Sequence, residues 1–299
     1  MAQRALDGSA WDEIFADVVV PRLKAAHLPL PSPMALIWHA EAEAPLTLAG
    51  LLMAVDAGGT AQYVNGLVEQ GASLETLYRE VFEPAVRHLG GLWYDDATSD
   101  AEVTLGLGRL QLEVRRLSAA FAHPLHIIKP GHAVLVAPKP GEPHSVQASM
   151  SSELFWRDGW DVSCEFPSSD KVLRELVHES WFDVLDLSLS GAYRRDHELE
   201  AMGVTIRAAQ AASLNPALAV IVNGRTFLER PQAAFGIGAD AACVTVVESV
   251  ATAQRLLDTL ATQDRIEQSL LDPSRGAHSH PVTVVANGRL PRRRVSQLR

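Results

Sequence analysis

Glu142 and His144 stand two residues apart in the stretch His-Ala-Val-Leu-Val-Ala-Pro-Lys-Pro-Gly-Glu-Pro-His, residues 132–144. An imidazole is a common metal ligand, and a neighbouring carboxylate can fix its tautomer and orientation. The pair therefore suits a metal ligand backed by an acid. It also suits acid–base work in an α/β enzyme, or a capping or surface histidine. Two hydroxyls follow in Leu187-Ser188-Leu189-Ser190-Gly191, and Asn223-Gly224 offers backbone approachable at glycine. Singly, each serine reads as a satisfied loop hydroxyl. Neither sits in a G-x-S-x-G elbow, so no nucleophile motif supports an enzyme. His278 and His280 form a weak metal-pair pattern in a polar tail that reads more simply as flexible.

The elements that must position these groups alternate. Ala133–Ala137 is an apolar, valine-rich run between turn residues and reads as a buried parallel strand. Gly141 and Pro143 break the chain, and Ser145–Arg157 resumes as a helix with Val146, Met150 and Leu154 on one face. Strands are predicted at Trp160–Phe166, Phe182–Ser190, Leu218–Val222 and Ala239–Thr245. Helices are predicted at Ser169–Glu179, Asp196–Ala212, Thr226–Phe235 and Val247–Gln263. Five strands with right-handed crossovers make a doubly wound sheet of flavodoxin-like order, whose ligands bind outside the carboxyl ends of the strands. His144, Ser188, Ser190, Asn223, Gly224 and the segment Gly236–Asp240 all belong to that edge or its loops. Neither G-x-G-x-x-G after the first strand nor a G-x-x-x-x-G-K-[ST] run occurs, so a nucleotide phosphate site is unsupported.

Residues 46–122 carry helix patterns only, at Leu46–Asp56, Ala61–Gln70, Leu74–Leu89 and Ala101–Ala120. Gly58-Gly59 and Gly90-Gly91 read as punctuation, Gly71 as a helix C′ residue, Ser73 and Ser99 or Asp100 as caps, and Pro84 as a kink. The expected fold class is α + α/β, a helical bundle followed by a five-stranded parallel sheet domain. The segments are 1–44 (a Pro21-interrupted helical stretch Trp11–His27 and a proline-rich linker), 45–122, 130–265, and a polar tail 266–299 ending in Arg292-Arg293-Arg294. Within that tail, Val282–Ala286 reads as an added edge strand.

The chain has 299 residues, 47% hydrophobic and 21% charged, with a net charge of −10. That suits a soluble globular protein and argues against non-specific nucleic-acid binding. The only two cysteines, Cys164 and Cys243, read as core residues. No apolar segment approaches the roughly 20 residues of a bilayer span, so a cytoplasmic protein with no membrane partner is expected.

The α/β part resembles the cobalamin-binding domain family, whose motif is Asp/Glu-x-His-x-x-Gly, then Ser-x-Leu, then Gly-Gly. Here it reads Glu142-Pro143-His144-Ser145-Val146-Gln147, Ser188-Leu189-Ser190 and Asn223-Gly224. Tyr78–Trp93 resembles the helical cap of such proteins, and the likeness covers about residues 45–250. Without a fused enzyme or DNA-binding module, the chain is most similar to antirepressors of the AerR/PpaA type, related to the AppA heme-binding sensor domain. The resemblance implies that His144 coordinates cobalt in place of the cofactor's own base, with Glu142 behind it. It implies that Ser188 holds the displaced nucleotide tail, that Gly224 lets the tail slide between strands, and that Trp93 covers the opposite face. Gln147, Asn223 and Ser190 depart from the family's Gly, Gly and Leu, narrowing the tail channel. Val103-Thr104 stand where light-sensing members carry Glu-His.

Three roles follow from this resemblance. The first is a light-responsive cobalamin (adenosyl- or hydroxo-) regulator, not an enzyme. It would act by contact with a DNA-binding repressor of the PpsR/CrtJ type, with no sequence-specific DNA reading of its own. The second is a corrinoid methyl carrier of a methyltransferase system. The third is a heme redox or gas sensor using His144 or one of His123, His126 and His132.

Overall fold

In the computed structural model, which describes residues 38–55, 58–121, 132–189 and 196–271, the chain divides into two units at the Phe121–Ala122 boundary. The first unit is helical. Its elements are α1 (Ala44–Met53), α2 (Gly58–Glu69), α3 (residues 74–94) and α4 (Asp100–Ala120). Leu48, Leu52, Leu77, Val81, Phe82, Leu89, Leu110 and Leu117 are buried between them. Helix ends follow local chemistry. Gly71, at φ +99°, closes α2 with Gly71 N donating to Val68 O and Ala72 N to Leu67 O, as a C′ glycine should. The Ser73 side chain caps α3 through the Thr76 amide. Ser99 and Glu102 form a reciprocal capping box on α4.

α3 departs from the sequence-based expectation in two ways. It is α-helical at Leu74–Thr76, π-helical at Leu77–Phe82 and α-helical again at Glu83–Tyr94. Pro84 has no N–H to donate, and the wider turn immediately before it shifts the hydrogen-bond register there. Gly90-Gly91 does not end the helix. Asp96 does, in the left-handed region at φ 54°, with Asp96 N bonded to Trp93 O and Ala97 N to Leu92 O. Trp93, beyond the expected helix end at Leu89, therefore lies within the helix. Gly58-Gly59, expected as punctuation, begins α2.

The second unit is a five-stranded parallel sheet. Its strands are β1 (Ala133–Pro138), β2 (Asp161–Cys164), β3 (Val184–Ser188), β4 (Ala219–Asn223) and β5 (Ala241–Cys243), in the order β2-β1-β3-β4-β5. The helices are α5 (Val146–Arg157), α6 (Asp170–Glu179), α7 (Asp196–Ala212), α8 (Arg225–Glu229), α9 (Ala233–Ile237) and α10 (Ser249–Leu271). The strands read apolar on both faces because both are covered. Leu135, Leu185, Leu187, Val220 and Val222 face the side packed by Leu173, Val177, Met202 and Ile206. Val134, Val136, Val184, Ala219 and Ile221 face Ala148, Phe155 and Ala253. The single helix expected over Thr226–Phe235 is two, because Pro231 interrupts it. α10 runs past the expected Gln263 to Leu271. The expected helix Trp11–His27, the connector after Phe121, and the tail with Val282–Ala286 lie outside the described residues.

Candidate functional site

Lys139-Pro140-Gly141-Glu142 forms the loop that leaves β1. Glu142 N donates to Lys139 O at 2.9 Å and Gly141 has φ +81°. Proline at the second position and glycine with positive φ at the third are the residues a type II turn asks for. The loop is tied on both sides: Lys139 N donates to Ser188 O of β3 (2.8 Å), and Gly141 N to Pro167 O beyond β2 (3.0 Å).

The turn brings the Glu142 carboxylate under the next residues. Its Oε1 accepts from the His144 backbone N–H at 3.0 Å and from His144 Nδ1 at 3.1 Å. A carboxylate only accepts, so Nδ1 donates to it, and in the neutral ring it is Nε2 that holds the lone pair. Nε2 is buried and has no partner among the described residues, as is true of Glu142 Oε2. The His144 side chain is 16% exposed and that of Glu142 0%. A buried imidazole nitrogen with a free lone pair, on a ring fixed from behind, is the arrangement of a metal ligand with its supporting acid. Among the described residues no group of three or more His, Cys, Asp or Glu is placed to hold a metal ion. His144 Nε2 thus offers a single protein ligand.

Gln147 lies in the first turn of α5, partly buried. Ser188 and Asn223 end β3 and β4 and stand in register with each other, and Ser188 is in register with Pro138 of β1. Both are buried. Gly224, at φ +121°, is explained by its neighbour: a Cβ there would stand 2.0 Å from Leu189 O. Leu189 N also donates to Asn223 O at 3.0 Å, so the chain stays paired to the last residue of β4 one residue beyond the end of β3. Ser190 lies outside the described residues, as do His123 and His126.

Trp93, Val103 and Thr104 belong to the helical unit. Trp93 is partly buried near the end of α3, Val103 is buried on the inner face of α4, and Thr104 is exposed. His132 precedes β1 at the opposite end from His144 and stacks on Trp160 at 5.0 Å, so it does not join the strand-end group.

The sequence reading missed Asp186. It lies in the middle of β3, fully buried, on the face covered by α5 and α10. Ser151 Oγ of α5 donates to its Oδ2, and Asn223 Nδ2 donates to its Oδ1 at 2.6 Å. Burial pushes its carboxyl up to about 7, against the opposing pull of those two hydrogen bonds. Burial, together with the nearby Asp186 charge, pushes the Cys243 thiol up to about 12. The one signal available was an acid inside the run Val184-Leu185-Asp186-Leu187.

No family model and no curated protein matches the chain. Among solved structures, a monomethylamine corrinoid protein of Methanosarcina barkeri is similar with a TM-score of 0.54 at 11% identity, over 70% of this chain and 96% of that one. A cobalamin-binding protein of Desulfitobacterium hafniense DCB-2 aligns over 70% of this chain and 97% of its own, at 18% identity and a TM-score of 0.37. No helix among the described residues is long and apolar enough to cross a membrane. A helical region followed by a Rossmann-like, all-parallel five-stranded sheet is the fold this chain shares with the Methanosarcina corrinoid protein.

Proposed function

We propose that this chain binds a cobalamin with His144 as the lower ligand of cobalt, and that it acts as a regulator and not as an enzyme. The observation that carries the binding site is the buried, unpartnered Nε2 of His144, held by a Glu142 bond to Nδ1. The bound cofactor would supply a cobalt whose other face exchanges ligands. The chain's own part is to keep the proton on Nδ1, to leave the Nε2 lone pair directed away from Glu142, and to hold both on a loop anchored to β3. Ser188 and Asn223, at the adjoining strand ends, are the polar groups offered to the rest of the ligand. The shared fold with a corrinoid protein, and the motif residues 142–147, 188 and 223–224, support the same class.

The regulatory role rests on the resemblance to light-responsive antirepressors. Its partner would be a DNA-binding repressor of the PpsR/CrtJ type, met by protein contact. The fold likeness to a monomethylamine corrinoid protein favours a second role, that of corrinoid methyl carrier.

Visible spectra decide the ligand. Titration of the purified chain with hydroxocobalamin should shift the corrin bands. His144→Ala should abolish the shift without unfolding the chain, and Glu142→Gln should weaken binding by roughly 10- to 100-fold, the usual effect of losing a ligand's supporting group. An unchanged spectrum in His144→Ala defeats the assignment, and a Soret band that titrates with heme alone replaces cobalamin by heme. Capture of the repressor that differs between light and dark, and is lost in His144→Ala, supports the regulator. Methyl transfer with a partner methyltransferase, with no such capture, supports the carrier.

A further inference from the structure

α4 carries a second apolar seam besides the one its bundle buries. Val103, Leu107, Leu110, Val114 and Leu117 turn inward and are buried. On the other side of the helix Ala101, Leu105, Gly108, Leu112, Arg115 and Ala119 are exposed, Leu105 at 54% and Leu112 at 63%. The steps between these residues alternate four and three, which is the heptad spacing of a seam that packs along one partner helix. All but Arg115 are Leu, Ala or Gly, where a solvated face would carry polar side chains.

Gly108 points the same way. A glycine inside a helix is less favourable than alanine, so it needs a reason. Gly106 has one in its own chain, because a Cβ there would stand 3.5 Å from Leu89 and 3.6 Å from the Leu52 carbonyl. A Cβ at 108 would meet nothing within 4 Å. Glycine there leaves a notch in the middle of the exposed seam, into which a side chain of another helix can fit.

The charge along the helix selects the occupant. Asp95, Asp96, Asp100 and Glu102 are exposed at or just before its N-terminal end, and Arg115 is exposed toward its C-terminal end. An identical helix laid antiparallel sets the acidic end of each copy beside the cationic end of the other, whereas parallel copies would face like with like. The same arrangement matches sizes. With Leu105 of one copy opposite Gly108 of the second, Leu112 comes opposite Ala101, and the two-fold repeats each contact.

We infer that this chain forms a symmetric dimer through α4, two copies packed antiparallel on Ala101, Leu105, Gly108 and Leu112, with the leucines of each seated over the glycine and alanine of the other. The inference is independent of the cofactor assigned above.

Sedimentation of the full chain at tens of micromolar should give about twice the 32.4 kDa of one chain. Leu105→Lys combined with Leu112→Lys should keep the helix content, since both sites are exposed and lysine is a good helix former, and should weaken the dimer by about 100-fold or more. Gly108→Ala should raise the thermal midpoint of the dilute chain yet weaken the dimer by about 10-fold, because a methyl group enters the contact twice. In a Cys164→Ser background, chains with Ala101→Cys mixed with chains with Leu112→Cys should join by a disulfide on oxidation. Neither should join to itself, since like positions lie about 16 Å apart along the antiparallel pair. A monomer at these concentrations overturns the inference, as does a dimer whose affinity ignores both the paired lysines and Gly108→Ala. Self-joining of Leu112→Cys chains without the mixed product would show parallel pairing and overturn it as well.

Discussion

Asp186→Asn replaces a buried carboxyl by an amide of the same shape, and its effect on stability should depend on pH in a calculable way. In the folded chain the Asp186 carboxyl keeps its proton up to about pH 7, whereas in an unfolded chain it loses it near 3.8. Between those values the folded state binds the extra proton, so stability falls as pH rises. The slope is about 1.4 kcal/mol per pH unit, and the whole window is worth about 4 kcal/mol. Below pH 3.8 none of this cost is felt, and above about 7 it is complete.

An asparagine at 186 has no such term, and its amide still accepts one hydrogen bond from Ser151 or Asn223. Urea unfolding of the native chain and the variant, compared from pH 4.5 to 8, should show a gap in favour of the variant that widens by about 3 kcal/mol and levels off above pH 7. With a typical urea slope of a few kcal/mol per molar, the midpoints should separate by about 1 M or more. Every other carboxylate titrates alike in the two proteins, so the difference isolates Asp186. A gap that stays constant over this range would refute the reasoning and assign the cluster a purely geometric role.

Gly224→Ala should destabilise the chain by about 3 kcal/mol or more, read as a drop in thermal midpoint, because φ +121° and a Cβ 2.0 Å from Leu189 O leave no room to relax. A loss below about 1 kcal/mol would mean that β3 and β4 part easily there. In Cys164→Ser, Cys243 is the only thiol left, and burial with a titration point near 12 should keep it silent to a thiol reagent at pH 8 until the chain is unfolded in urea. Prompt labelling in the native state would show an open route to the β5 end. Ser99→Ala removes the serine side-chain half of the α4 capping box, leaving the backbone N–H of residue 99 on Glu102, and should cost about 1 kcal/mol in chemical unfolding, with cofactor spectra unchanged.

What the sequence made legible was local. Alternating apolar runs and helical spacing placed all five strands and their order. Ser73, Ser99 and Gly71 marked helix ends because a cap is written within four residues of the end it closes. Glu142 and His144 are two residues apart, and Pro140-Gly141 dictates the turn that presents them, so their pairing was readable before any fold was known. Where local signals compete, reading fails. Gly90-Gly91 looks like a stop, but a helix interior tolerates glycine at about 1 kcal/mol each, and Asp96 ends the helix by adopting the left-handed conformation that glycine usually takes. Pro84 was visible as a disturbance, yet whether a helix kinks or widens into a π turn is decided by the packing of Leu77, Val81 and Phe82.

The Asp186 cluster was illegible for a different reason. Its three members lie 35 and 37 residues apart, on three elements that meet only when β3 pairs with β4 and α5 folds over them. Sequence shows an acid in an apolar strand, which is costly and unexplained. Only the fold supplies the two donors that make it tolerable and leaves the Asn223 acceptor open beside them. Glycine at 223, the residue the motif leads one to expect, would leave Asp186 with one donor fewer. An isolated buried carboxylate is far more expensive than a bonded one, so Asp186 and Asn223 stabilise each other's presence. The departure at 223 and the acid at 186 are therefore one feature and not two, and the double variant Asp186→Leu, Asn223→Gly should be less destabilised than the sum of its parts. The coupling should be about 1–3 kcal/mol, measured as a double-mutant cycle in urea unfolding. Strict additivity of the two single changes would separate them again.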